Sequence, residues 1–357
     1  MTEERTDAML GHPPNERFEA SPPTAKPPAA NSTESKWPSR LLLVAKLAVT
    51  GLILFWLSTK VDIGAVVASF AKLSPTLLVP TSIAFLIIPV LGGLRWWAIL
   101  RGMGSGDGRL APLVTFFSVG TMLGQFLPAA VGDGMRIFLT ARRGYGLQAA
   151  FNSVFLERVL MVLVLLVMVM ATSGLLADRV GQTGSAWAAT ALLLGGVGGL
   201  GSLTMADRIT GRLGEWRLVR SLARLSADTR RLFSSRWLPY ALVLCLLGNL
   251  NFVLAASLLA RALGLPVTFT DLLAFIPLVT AAAALPISVG GWGMREGILV
   301  VLLGHIGVAA SNALSLSVMF GLGSMVSGLP GFVVWWLGSR GALDLAKARQ
   351  AIAINKI

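Results

Sequence analysis

A chain of 357 residues that is 55% hydrophobic and only 13% charged, with a mean hydropathy of +0.74, falls outside the soluble globular class. Its net charge of +13 does not mark a nucleic-acid partner, because no soluble module stands ready to carry base contacts. His12 and His305 are the only histidines and Cys245 the only cysteine, which excludes a histidine triad, a multi-histidine metal site and an internal disulfide; no metal or cofactor is expected.

In chain order, residues 1–40 are polar, Pro-rich and of mixed charge, and read as a disordered cytoplasmic tail without a secretory signal. Six segments have the length and apolarity to span a bilayer: 41–59, 76–100, 151–175, 184–205, 237–260 and 311–337. Between the first two, Ile63, Val66, Val67 and Phe70 recur at helical spacing and predict a short interfacial helix. Residues 341–357 form a short basic tail.

Two further apolar regions, 112–140 and 271–306, are interrupted by related motifs. Leu127-Pro128-Ala129-Ala130-Val131-Gly132-Asp133-Gly134-Met135-Arg136 is echoed by Leu285-Pro286-Ile287-Ser288-Val289-Gly290-Gly291-Trp292-Gly293-Met294-Arg295-Glu296. Pro removes a backbone donor and Gly weakens a helix, so Pro128, Gly132 and Gly134, and Pro286, Gly290, Gly291 and Gly293, are each expected to end one half-helix and start another. In a membrane such a break survives only where protein or water satisfies the freed backbone, and a matched pair of breaks points to a transport site. Ordinary proline kinks are the plainer alternative.

Lys and Arg concentrate on one side if the N-terminus is cytoplasmic. The first tail, the 101–150 stretch, the 206–236 loop and the last tail carry most of them, against Lys60, Lys72, Arg179 and Arg261 outside. This predicts a multi-pass plasma (inner) membrane protein with both termini cytoplasmic. It also requires the first broken region to open to the cytoplasm and the second to the exterior. The expected fold is therefore all-α: a polytopic membrane protein of six spanning helices plus two opposed re-entrant helical hairpins, arranged as an inverted repeat within residues 41–340.

Charges kept inside apolar segments are costly and need a reason. Asp133 and Arg136 flank the first break, Glu157-Arg158 lies in the helix after it, and Arg295-Glu296 closes the second. These six are the candidate substrate-binding residues. A helix starting after each break would offer free N–H groups, and an Arg in its first turn a planar fork suited to phosphate. As alternatives, the set is a structural salt-bridge network, with Asp133 and Glu296 acting as caps.

Lesser features have simpler readings. Arg95-Trp96-Trp97 reads as an interfacial anchor, Gly195 to Gly201 as a close-packing stripe, Lys46 as a residue reaching for the interface, and His305 as an interfacial polar group. In the 206–236 loop, Arg217, Arg220, Arg224 and Arg231 share one helical face and Trp216, Val219, Leu222 and Phe233 the other. That pattern suits a basic amphipathic helix on anionic lipid, or simply a topology-setting loop. No Gly-Lys-Ser/Thr nucleotide loop occurs.

At Leu127-Pro128, Gly132-Asp133, Arg136, Phe155-Leu156-Glu157-Arg158 and Leu285-Pro286-Ile287-Ser288-Val289-Gly290-Gly291 with Arg295-Glu296-Gly297, the chain resembles the lysylphosphatidylglycerol synthase transmembrane-region family of flippase-like proteins. Members often show Gly-Gly-Asp or Gly-Glu before the first Arg, where this chain has Gly132-Asp133-Gly134. The resemblance covers roughly residues 40–340. It implies the translocation of a lipid between leaflets, either aminoacylated phosphatidylglycerol or another anionic or polyprenyl-linked lipid, and no enzymatic activity is expected. The chain ends soon after the last span, so synthesis of the lysyl lipid is not expected of it. The alternative is a non-transporting membrane subunit that binds a polyprenyl or glycosyl lipid, or recruits a glycosyltransferase or other lipid-modifying enzyme.

Overall fold

The computed structural model describes residues 73–105, 109–180, 217–283 and 291–354, with positions 51, 55, 64, 68 and 198. The tail 1–40, the expected spans at 41–59 and 184–205, the interfacial helix near 63–70, Lys46, Pro286 and Gly290 fall outside the continuously described residues.

Every element among the described residues is a helix. In chain order they form α1 (Pro75–Gly102), α2 (Leu110–Phe126), α3 (Ala129–Thr140), α4 (Leu147–Ala171) and α5 (Ser173–Val180). Then come α6 (Arg217–Phe233), α7 (Trp237–Ala262), α8 (Phe269–Ala283), α9 (Met294–His305) and α10 (Ala310–Ile354). The helices α1, α4, α7 and the Ala310–Gly338 part of α10 are long and apolar enough to cross a membrane, and they coincide with four of the expected spans. The last helix runs on to Ile354, through most of the segment expected to be a separate tail.

Three apolar clusters organise the bundle, and α1 contributes to each. Trp96, Leu100, Leu113, Val119 and Leu139 pack α1 against α2 and α3. Phe85, Val253, Phe275, Leu303 and Leu316 join α1, α7, α8, α9 and α10. Ile99, Leu156, Leu225, Leu232 and Cys245 seat α6 on α1, α4 and α7. Small residues bring the helices close: an added Cβ at Gly323 would lie 2.4 Å from the Phe85 ring, and one at Gly331 would lie 2.1 Å from the Ser118 Cβ.

Both broken regions are helix pairs. In the first, Leu127 is extended at φ −122° and ψ 166°, as the residue before a proline prefers, and Pro128 caps α3. Pro80, Pro89, Pro277 and Pro330 sit inside continuous helices, so proline alone does not reverse this chain. The reversal at Pro128 is held by close approach of the two arms. A Cβ on Gly132 would lie 2.3 Å from the Gly120 carbonyl oxygen.

Gly132 and Gly134 belong to α3, not to the break, and Gly132 serves helix contact rather than chain turning. Arg136 consequently sits two turns inside α3 instead of in its first turn, and Asp133 is no cap. The second pair behaves as expected at its described glycines. Gly291 (φ +80°) and Gly293 (φ +87°) adopt the left-handed backbone that leads into α9, and Gly291 lies against Ala283 at the end of α8.

The amphipathic helix α6 also departs in detail. Arg220, Arg224 and Arg231 are exposed as expected, but the face that packs is Leu225, Ser226, Thr229 and Leu232, while Leu222 and Phe233 remain exposed. The buried face meets α1, α4 and α7, and Leu222 and Phe233 point away from these neighbours. Polar bonds fix it in place: Asn152 donates to Asp228 (2.7 Å), and Ser221 to Gln148 (3.3 Å).

Candidate functional site

The charged residues on α1, α3 and α4 form one network. Glu157 on α4 is fully buried; one carboxylate oxygen accepts from Arg95 and the other from Arg136 Nη1 at 3.1 Å. The Arg136 guanidinium lies between the rings of Trp96 and Phe117, at 4.4 and 4.5 Å from their centroids. Arg136 Nη1 also reaches Asp133 Oδ1 at 3.3 Å. Arg158 grips the same Asp133 with two prongs, Nη2 to Oδ1 at 2.7 Å and Nε to Oδ2 at 3.0 Å.

Arg95 and Trp96 overturn their expected role as an interfacial anchor. Both are buried, Arg95 against Glu157 and Trp96 through an indole N–H bond to Ser153 Oγ at 3.0 Å. An apolar helix with no clear polar face gives no clue to which of its charges points inward. Arg95 is thus a site residue that sequence reasoning missed. The signal for it was the cost of an arginine so far inside a span.

The second half has its own pair. Glu296, buried in the first turn of α9, accepts the Gly293 N–H at 2.6 Å, the capping role given above as the alternative to substrate binding. Arg295 donates to Glu296 Oε1 through Nη2 (2.5 Å) and Nε (3.0 Å), and to Ser317 Oγ on α10 at 3.2 Å. Its guanidinium stacks 4.8 Å from the Trp292 ring and crosses Gly321, where a Cβ would fall 2.4 Å from Nη2.

The two halves meet directly. The Trp292 indole N–H donates to the Gln125 backbone carbonyl at 3.1 Å, joining the turn before α9 to the last turn of α2. Between them opens a cavity of about 520 Å³, lined by Arg95, Asp133, Arg136, Arg158 and Arg295 among apolar walls that include Phe117, Phe252 and Leu316. Glu157 and Glu296 stand behind these lining residues rather than among them. Arg136 Nε and Nη2, Arg95 Nε and Gln125 Oε1 are buried without a hydrogen-bond partner. Four arginines face three carboxylates in this set, which leaves one positive charge unmatched. Pro128 and Gly132 build the turn and contact beside the cavity, and Gly134 has open space around it.

A helical membrane protein with a buried, arginine-rich cavity between two broken-helix pairs is the class that fold and site define. The chain belongs to the family described as the lysylphosphatidylglycerol synthase TM region, which matches residues 43–331. That family is a membrane region associated with lipid headgroup synthesis or flipping. Among curated proteins no match is found.

Proposed function

We propose that this protein translocates an anionic phospholipid or lipid-linked headgroup between the leaflets of the plasma (inner) membrane, without an enzymatic step and with both termini cytoplasmic. The observation that carries the proposal is the unmatched positive charge in a cavity formed where the two helix pairs touch. Unpaired guanidinium donors in a low-dielectric site attract a phosphate far more strongly than in water. Each helix pair would enter the membrane as a re-entrant hairpin, with its freed backbone facing protein and water. The headgroup would cross through the cavity while its acyl or prenyl tails stay in the bilayer. An inside-negative potential drives one negative charge outward by about 2.3 kcal/mol per 100 mV, so outward flow needs no nucleotide motor.

The test is reconstitution of the purified protein into vesicles carrying a fluorescent phosphatidylglycerol whose outer-leaflet fraction can be quenched. Protein-containing vesicles should lose nearly all of the signal, and protein-free vesicles about half. Co-purified lipid without accelerated exchange would overturn transport in favour of a lipid-binding subunit that serves a glycosyltransferase or other lipid-modifying enzyme.

A further inference from the structure

The charged network divides by accessibility. The side chains of Arg95, Glu157 and Arg136 are 6%, 0% and 2% exposed, whereas those of Asp133 and Arg158 are 21% and 47% exposed. Asp133 is also the one carboxylate among the lining residues of the described cavity. Its two oxygens take both prongs of Arg158 and share Arg136 Nη1, the donor pattern that the two non-bridging oxygens of a phosphodiester would take. Arg136 keeps Nε and Nη2 unpaired beside it.

We infer that Asp133 is a built-in stand-in for the ligand: a phosphodiester monoanion displaces its carboxylate from Arg158 and Arg136, and the carboxylate returns when the ligand leaves. This rests on the anion-binding reading above. The buried Arg95–Glu157–Arg136 triad stays in place through the exchange, because removing charge from it would strand ions in a dry interior. The displaced Asp133 lies close enough to solvent to be hydrated. With the carboxylate present, the empty cavity carries one net positive charge, and one phosphodiester neutralises it. A carboxylate that competes for the same donors weakens binding, and by doing so permits release on the far side.

The experiment measures binding of dihexanoyl phosphatidylglycerol, with diglycerol phosphate as the tail-free phosphodiester and dihexanoyl phosphatidylcholine as the zwitterionic control, to the full chain in detergent. Asp133→Asn keeps the size of the side chain and removes the competitor. It should bind phosphatidylglycerol about tenfold more tightly while translocating it more slowly, and Arg158→Gln should bind it about tenfold more weakly. Asp133→Asn with unchanged or weakened binding, or failing to accumulate as a monodisperse protein, makes the carboxylate scaffold and overturns the inference. Unchanged affinity in Arg158→Gln overturns it too. Equal binding of diglycerol phosphate and the lipid supports the exchange but assigns it to a soluble anion. A wild-type protein that binds no phosphodiester at all overturns the anion reading itself, which separates that failure from failure of the Asp133 exchange.

Discussion

Glu157 is the residue on which the first half of the site turns. It is fully buried and neutralises two arginines that are themselves shielded from water. Removing one partner of a buried ion pair costs about 3–5 kcal/mol, because the survivor is left uncompensated. Glu157→Gln should therefore lower the detergent unfolding midpoint sharply, whereas Arg158→Gln, at the half-exposed rim, should leave it within a degree or two of wild type. Similar midpoints for the two variants would contradict the division into a buried triad and an exchangeable pair. Arg295 makes a parallel point in the second half. Its geometry depends on the planar fork meeting Glu296 and Ser317 at once. A lysine there cannot span them, and Arg295→Lys should keep less than half of the transport activity.

At the scale of elements, glycine positions separate scaffold from site. The Gly120–Gly132 contact holds α2 against α3, and a Cβ at Gly132 meets backbone that cannot swing away. Gly132→Ala should destabilise the fold by about 1–3 kcal/mol, as other overpacked contacts do. At Gly321 the added Cβ meets side chains instead, the Arg295 guanidinium and the edge of the Trp292 ring. Gly321→Ala should accumulate normally and unfold near the wild-type midpoint, yet lose most transport because the guanidinium is pushed off Glu296 and Ser317. Comparable destabilisation in the two variants would contradict this assignment. These roles mark how far the sequence could be read. The spans at α1, α4, α7 and α10 and the break at Leu127-Pro128 were legible, because apolar length and proline are local signals. The purpose of Gly132 was not, since a glycine that permits a turn and one that permits close packing look alike until the partner helix is known. Arg95 escaped for a related reason: next to Trp96 and Trp97 it matches the pattern of an interfacial belt, and only tertiary packing reveals that it points at Glu157. All six candidate charges take part in ion pairs, but in two separate groups rather than the one compact set expected: Asp133, Arg136, Glu157 and Arg158 with Arg95 in the first half, and Arg295 with Glu296, which is also a helix cap, in the second.

For the whole molecule, the placement of α6 ties site to topology. This basic helix packs on Gly102 at the end of α1 and on the first turns of α4, so Arg220, Arg224 and Arg231 crowd one end of the bundle. The Arg179–Asp271 ion pair (3.0 Å) instead joins α5 to the start of α8, beyond the far end of α4. Under the positive-inside rule the α6 end is cytoplasmic. In intact cells, Arg220→Cys should be protected from an impermeant thiol reagent and Val180→Cys should react, with the buried Cys245 silent in both. Labelling at 220 alone would invert the orientation.

The central claim is that one headgroup passes arginines from both halves of the chain, and the most direct measurement is phosphatidylglycerol exchange in vesicles containing Arg136→Ala or Arg295→Ala protein. Compared at equal amounts of incorporated protein, each variant should leave about half of the fluorescent lipid protected, as in protein-free vesicles. Wild-type exchange in either variant would contradict the account.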